Sequence, residues 1–198
     1  RLWFLDRWEP GSSTYNLPVA LRLRGRLDVL ALERSVREIV RRHEVLRTTF
    51  LEVDGKPFQV VREAEPFPLP VHDLTAVGSG ADALATTCES TVGSGPESAL
   101  GTAERERHLR ELCAEEAARP FDLGAGPVFR AALVRLAPRE DVLVLTLHYV
   151  VADGWSLGLL LEELVALYEA FSSGTSPSLA EPPLQYGDFA RWQRGYLE

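Results

Sequence analysis

The alternation of apolar and polar positions predicts a strand near the amino terminus and a helix after it. The strand covers residues 17–23, where every second residue is apolar, a period that places one face of a strand against a core. The helix begins after Asp28, a favourable N-cap residue, and runs to His43. Its apolar residues have the spacing of a single helical face: Leu32, Val36, Ile39 and Val40.

A hairpin is predicted next. Residues 46–53 are rich in Thr, Phe and Val, the pair Asp54-Gly55 favours a tight turn, and residues 58–61 supply the return strand. Residues 66–74 contain prolines at alternate positions and are predicted to be extended.

Periodicity is lost between Thr75 and Gly101, where Gly, Ser, Ala and Thr dominate. Such a composition buries too little apolar surface to offset the entropy lost on ordering. We therefore expect a flexible surface insertion at about 75–101. The alternative is a loop that binds a partner, because long loops in compact domains are often functional.

The second half of the chain predicts a helix, two strands and two more helices. The first helix begins at Thr102, contains Cys113 as a small core residue, and is ended by Pro120. Strands follow at 128–136 and 142–147, and the latter is continuously apolar, which predicts a central strand covered on both faces. A long helix starts at Ser156, with apolar residues on one face: Leu160, Leu164, Leu167, Tyr168 and Phe171. After a Ser- and Pro-rich linker, a short helix covers about 187–197. This mixture of hairpins and helices predicts the α+β class.

Charge and composition exclude several functions. The net charge of −8 and the pI near 5.1 argue against nucleic acid, which needs clustered Lys and Arg. No apolar run approaches the roughly 20 residues that span a bilayer. The two cysteines lack metal-ligand spacing, so we expect no metal and a reduced, cytoplasmic protein.

Candidate chemistry is concentrated in residues 146–156, Thr-Leu-His-Tyr-Val-Val-Ala-Asp-Gly-Trp-Ser. His148 and Tyr149 end the buried strand, and Asp153 and Gly154 precede the helix. Strand ends beside helix N-termini are frequent sites, because backbone N–H groups point outward there. The alternative is a hydrogen-bonded core histidine and an aspartate that braces a turn.

Together with four other segments, residues 146–156 resemble the condensation domains of nonribosomal peptide synthetases. The shared motif there is His-His-x-x-x-Asp-Gly-Trp-Ser, and the other four segments are residues 1–5, 42–50, 119–127 and 186–193. The resemblance implies a chloramphenicol-acetyltransferase-like two-layer sandwich, a mixed sheet with helices packed on it, as a single lobe of a two-lobe domain. Residues 1–183 would form the N-terminal lobe, and residues 184–198 would start the connection to the missing C-terminal lobe.

The resemblance also implies a reaction and its partners. Condensation domains form an amide between an acceptor amine and a thioester, with both substrates carried on the phosphopantetheine arms of carrier proteins. The expected partners are therefore peptidyl or acyl carrier proteins, adjacent synthetase domains and the C-terminal lobe, with no cofactor bound. Because a lobe without its partner exposes apolar surface, we also expect some tendency to form a homodimer.

This sequence departs from the family motif at the second histidine, whose position is occupied by Tyr149, while His148 matches the first. Neutral imidazole accepts a proton near pH 7, whereas a phenol has an ordinary pKa near 10 and is a poor base. Neighbouring side chains on an extended strand point to opposite faces, so we do not expect His148 to replace the missing base. Tyr149 could instead donate a hydrogen bond to the developing oxyanion.

For the other motif residues, the resemblance implies mainly structural roles. Asp153 would form an ion pair with an arginine, and Arg47 is the candidate. Gly154 would leave the tunnel between the lobes open and direct its N–H toward the oxyanion. Trp155 is predicted to be a packing residue rather than a substrate contact, and Ser156 to start the helix.

Three functions follow from these residues. The first is an amide-forming lobe, impaired by Tyr149. The second is a non-catalytic docking platform that recruits carrier proteins or tailoring enzymes. The third, a stand-alone acetyltransferase that uses coenzyme A, is the weakest, because the relatives it resembles also require histidine at the position of Tyr149.

Overall fold

The fold of the chain is given by a computed structural model, which describes residues 2–77 and 96–197. Residues 78–95, most of the predicted insertion at 75–101, lie outside the described residues. In chain order, the helices are α1 (Leu2–Trp8), α2 (Val29–Arg42), a short 3-10 helix (Glu44–Arg47), α3 (Pro96–Ala118), α4 (Gly154–Ser172) and α5 (Tyr186–Leu197). The strands are β1 (Asn16–Arg24), β2 (Thr48–Val53), β3 (Lys56–Val61), β4 (Val71–Asp73), β5 (Phe129–Ala137) and β6 (Glu140–His148).

A four-stranded mixed sheet forms the centre of the lobe, in the order β1-β6-β5-β4. β6 is antiparallel to both of its neighbours, whereas β4 runs parallel to β5. The hairpin β2–β3 forms a separate two-stranded sheet. The prediction that the apolar run at 142–147 is a central strand is therefore confirmed.

The two faces of the sheet contribute to two cores, as the period of two along β5 and β6 requires. On one face, alternate residues such as Leu133, Leu143 and Leu145 pack in a core that includes the buried side chains of α2 and α4. On the other face, Val134 and Val144 pack against Leu109 of α3. These residues form a second, smaller core between the sheet and α3. The predicted α+β class, a mixed sheet with helices packed on it, is confirmed.

Sequence reasoning placed the apolar faces of the helices correctly. In α2, Asp28 accepts a hydrogen bond from the N–H of Ala31, and the predicted apolar stripe is buried. In α4, Leu160, Leu164 and Leu167 are buried as predicted, and Cys113 of α3 is partly buried beside the smaller core.

Three predicted boundaries are wrong. α4 begins at Gly154, two residues before Ser156, because Asp153 caps it. α3 begins at Pro96 rather than at Thr102, so residues 96–101, predicted to belong to the flexible insertion, are helical. Residues 46 and 47, predicted to start the strand, belong to the 3-10 helix, and the strand starts only at Thr48. No Gly or Pro separates α2 from the 3-10 helix, so the sequence carries no signal for this boundary.

A buried arginine fixes the segment between α4 and α5. The side chain of Arg42 is only 4% exposed and donates to the carboxylate of Glu163 at 2.9 Å and to the carbonyl oxygen of Ala180 at 2.7 Å. His43 lies 3.0 Å from the same carboxylate oxygen, and Gln185 donates to the Arg42 carbonyl oxygen at 2.9 Å. Burial opposes ionisation of Glu163, but the hydrogen bonds from Arg42 and His43 outweigh it and hold the pKa of Glu163 below its usual value. The end of α2 therefore anchors the chain that leads to α5.

Across the described ranges, 2–77 and 96–197, no helix combines the length and the apolar character that a membrane crossing requires.

Candidate active site

The motif residues occupy the end of β6, a turn and the first turn of α4. The N–H of Tyr149 donates to the carbonyl oxygen of Tyr15 at 2.8 Å, which extends the pairing of β1 with β6 by one residue. The N–H of Val151 then donates to the carbonyl oxygen of His148 at 3.0 Å and turns the chain away from the sheet. The side chains of His148 and Tyr149 therefore point to opposite sides at the end of the strand.

His148 is enclosed in the lobe, with 1% of its surface exposed. Its Nδ1 accepts a hydrogen bond from the N–H of Val150 at 3.1 Å, so the neutral ring carries its proton on Nε2. Nε2 is buried and has no hydrogen-bond partner among the described residues, the carboxylate of Asp6 lying 3.9 Å away. Burial lowers the pKa of His148 to about 4, so the ring is neutral at pH 7.

Tyr149 lies on the opposite side, with 48% of its surface exposed. The prediction that the two neighbours face opposite ways is confirmed. Because the imidazole of His148 is buried and its Nδ1 lone pair is occupied, it cannot accept a proton from a group that approaches Tyr149. The exposed face of this strand end therefore presents a phenol where the family motif presents an imidazole.

Asp153 acts as the N-cap of α4. Its Oδ1 accepts hydrogen bonds from the N–H of Ser156 at 2.8 Å and from the Ser156 hydroxyl at 2.7 Å. These hydrogen bonds, the backbone one foremost, hold the pKa of Asp153 below its usual value, so the carboxylate is ionised at pH 7. A negative charge at a helix N-terminus is also favourable toward the helix dipole.

The expected ion pair between Asp153 and Arg47 is wrong. Within the part of the chain that the structure describes, Arg47 pairs with Glu44 at 3.5 Å and donates to the carbonyl oxygen of Arg62, and Asp153 forms no ion pair. The reason is local: Asp153 lies at the start of α4 and is satisfied by Ser156, while Arg47 is turned toward the β2–β3 hairpin.

The two residues after Asp153 are both open to solvent in this lobe. A Cβ added at Gly154 would meet no atom within 4 Å, so nothing in the described residues requires glycine there for space. Trp155 is 80% exposed, so the packing predicted for it is not found among the described residues. The buried face of α4 is formed by Leu160, Leu164 and Leu167, and the first turn extends beyond it.

Sequence reasoning missed the residues that enclose His148. The rings of Tyr15 and Phe121 lie 6.1 and 6.0 Å from the imidazole, and Arg130 stacks 3.8 Å over the Phe121 ring. The segment 119–127 was recognised as a motif, but its contact with His148 depends on the tertiary fold. Within the described ranges, no cluster of His, Cys, Asp or Glu has the arrangement of a metal site.

Comparison with protein families identifies the chain. The family model described as "Condensation domain" matches residues 1–91 and 97–198. The chain belongs to this family, the condensation domains of nonribosomal peptide synthetases, as its five motifs suggest.

Among curated relatives, the chain is 46% identical over 198 residues to one of the linear gramicidin synthase proteins from Brevibacillus parabrevis. It is 41% identical over 198 residues to phosphinothricin tripeptide synthetase PhsC from Streptomyces viridochromogenes. Both matches cover 100% of this chain but only 2% and 16% of those proteins. The chain thus corresponds to a small part of each synthetase.

Solved structures agree with this assignment. The X-domain from teicoplanin biosynthesis has a TM-score of 0.77 at 33% identity, covering 98% of this chain and 36% of that one. The same domain has been solved in a complex with OxyB. The starter condensation domain of rhizomide synthetase RzmA has a TM-score of 0.79 at 20% identity, covering 99% of this chain and 41% of that one, which supports the fold alone. The partial coverage of these chains fits a single lobe.

Proposed function

We propose that this lobe forms part of a condensation domain in which amide-bond formation proceeds without an imidazole base and is therefore impaired. The observation that carries the proposal is the arrangement at the end of β6. Tyr149 is exposed where the motif has its second histidine, and His148 is buried on the other side. The exposed side of this strand end thus lacks the group that accepts a proton near neutral pH.

The reaction does not stop when the base is absent. An α-amine has a pKa of about 7.7–8.0, so part of it is already free base at pH 7 and can attack a thioester. Correct positioning of the two reactants lowers the barrier on its own. The phenol of Tyr149 and the backbone N–H of Gly154 are hydrogen-bond donors that can stabilise the developing oxyanion. Loss of a general base costs about 100- to 10,000-fold in rate.

The substrates and partners in this proposal are those of the family. A donor thioester and an acceptor amine arrive on the phosphopantetheine arms of carrier proteins, and the second lobe completes the tunnel. Adjacent synthetase domains deliver these carriers, and no cofactor is bound by the lobe.

The test is a condensation assay on the domain in its own synthetase module, with loaded donor and acceptor carriers. Three variants are compared with the native protein: Tyr149→His, Tyr149→Phe, and Phe58→His as a control at an exposed residue of β3. We expect Tyr149→His to form amide about 100-fold faster or more, and the control to leave the rate unchanged. A native rate equal to that of Tyr149→His would show that the site works fully without imidazole. Tyr149→Phe measures the contribution of the phenol as a donor.

A second candidate is a docking platform for a tailoring enzyme. It is favoured by the 33% identity to an X-domain whose complex with OxyB has been solved. The lobe also presents a row of exposed aromatic rings on α5, with centroids of successive rings 5.6 to 5.9 Å apart: Tyr186, Phe189, Trp192 and Tyr196. If Tyr149→His fails to raise the rate and the native domain binds a tailoring enzyme of its own pathway saturably, the docking function is the correct one.

A further inference from the structure

A cavity of about 640 Å³ lies between the β2–β3 hairpin, residues 62–70 and the segment that leads into β5. Its volume is in the range of ordinary small-molecule pockets, about 300–1,000 Å³. None of residues 146–156 lines it. The cavity is therefore separate from the candidate active site.

The floor and one wall of the cavity are apolar. Val40 and Leu46 come from α2 and the 3-10 helix, and Phe129 and Ala131 come from β5. Phe67 stacks on Phe129 with a centroid distance of 5.1 Å and closes one side. These side chains offer an apolar surface to the body of a small molecule.

Two arginines at the cavity have unused donors. Nε of Arg47 is buried and has no hydrogen-bond partner among the described residues, although its terminal nitrogens contact Glu44 and the Arg62 carbonyl oxygen. Arg62 donates through Nε to the hydroxyl of Thr49 at 3.1 Å, and no carboxylate among the described residues lies within ion-pair distance of it. A buried donor without a partner is unfavourable, so an acceptor placed here is stabilised.

The other two arginines of the lining are already satisfied. Arg130 pairs with Glu116 at 3.1 Å, and Arg119 lies 3.5 Å from the same side chain. Unpaired positive charge is therefore localised at Arg62, and Arg47, which pairs with Glu44, adds the free Nε–H donor beside it. Glu63 and Glu65 also line the cavity and keep the total charge surplus small, which favours a single negative charge on a ligand over a doubly charged phosphate.

We propose that this cavity binds a small amphipathic carboxylate, with its carboxylate against Arg47 and Arg62 and its apolar body against Phe67 and Phe129. The planar guanidinium has the geometry that matches a carboxylate, and charge-assisted hydrogen bonds are about twice as strong as neutral ones. This site is independent of the proposed function, because it shares no residue with the end of β6 or the start of α4.

The probe is phenylbutyrate, with phenylbutanol as an uncharged molecule of similar shape and phenylbutylamine as the opposite charge. Titration of the ¹⁵N-labelled protein gives both the affinity and the residues whose amide signals shift. We expect saturable binding of phenylbutyrate, with shifts at the cavity lining, and at least tenfold weaker binding of the alcohol and the amine.

Variants locate the carboxylate. Arg62→Gln is the main test, because Arg62 is largely exposed and its replacement leaves the core intact; we expect at least tenfold weaker binding of phenylbutyrate. Arg47→Gln should act in the same direction, but a loss of fold in this variant does not affect the test made with Arg62. Arg24→Gln, on the far end of β1, is the matched control and should bind as the native protein does. Absence of saturable binding, equal affinities for acid and alcohol, or unchanged affinity in Arg62→Gln would overturn the proposal.

Discussion

The buried state of His148 predicts a specific dependence of stability on pH. Because burial lowers the pKa of His148 to about 4 in the folded protein, from 6.5 in an unperturbed histidine, the unfolded chain takes up a proton first as the pH falls. The stabilising contribution is therefore fully present above pH 6.5 and is lost as the pH falls toward 4. His148→Gln removes this titration and keeps a neutral polar group of similar length in place of the ring.

The magnitude follows from the gap between the two pKa values. The whole gap corresponds to about 3 kcal/mol, and the part lost between pH 7 and pH 5 is about 2 kcal/mol. The difference between the native protein and the variant reports His148 together with its neighbour Asp6, whose carboxylate lies 3.9 Å from Nε2, and cancels the titrating groups that lie far from this ring.

Urea unfolding at pH 7 and pH 5 measures this contribution. The native free energy of unfolding should fall by about 2 kcal/mol more between the two pH values than that of His148→Gln. The control is His72→Gln, which removes an exposed histidine on β4 and should keep the native pH dependence. If the native protein and His148→Gln lose the same free energy, His148 is not held neutral by burial, and the reason for excluding it as a base is wrong.

Three further predictions concern stability, each measured by urea unfolding at pH 7. Arg42→Met breaks a buried ion pair and should cost about 3 kcal/mol, against about 1 kcal/mol or less for the exposed Arg41→Met; equal losses would contradict the anchoring role. Leu145→Ala should cost about 2–5 kcal/mol and the exposed Leu159→Ala within about 0.5 kcal/mol, and a reversed order would refute the described core. Asp153→Ala should lower the urea midpoint through loss of the cap of α4, and an unchanged midpoint would show that the cap contributes nothing.

The homodimer expected of the isolated lobe remains a prediction. Sedimentation equilibrium of the native chain should show concentration-dependent association through its exposed apolar surface. A monomer at all accessible concentrations would remove this expectation.

Elements with strong periodicity could be predicted from the sequence. The apolar residues of α2 recur at helical spacing, and those of β6 form a continuous run. Each pattern predicts which residues are buried, and the structure buries them. The opposite directions of His148 and Tyr149 also follow from the period of a strand. Short elements such as α1 and β4 carry too few residues for a periodic signal.

The wrong predictions in the candidate site concern contacts that the tertiary fold decides. A side chain can choose between a partner close in sequence and a distant one, and the sequence alone does not specify which it takes. Asp153 had two potential partners, a remote arginine and the first turn of its own helix, and the local hydrogen bonds to Ser156 form instead. Arg47 faces the hairpin, a direction that its sequence neighbours do not specify. The exposure of Trp155 likewise depends on where the buried face of α4 ends.

We propose that no general base acts at the exposed end of β6 in the native protein. The most direct measurement is the single-turnover rate of amide formation between pH 5.5 and pH 8 for the native module and for Tyr149→His, expressed as the ratio of the two rates. Ionisation of the acceptor amine affects both proteins equally and cancels in the ratio. We expect this ratio to rise through the pKa of the introduced imidazole, near 6.5, to about 100 or more. A ratio that stays near one across this range would contradict it.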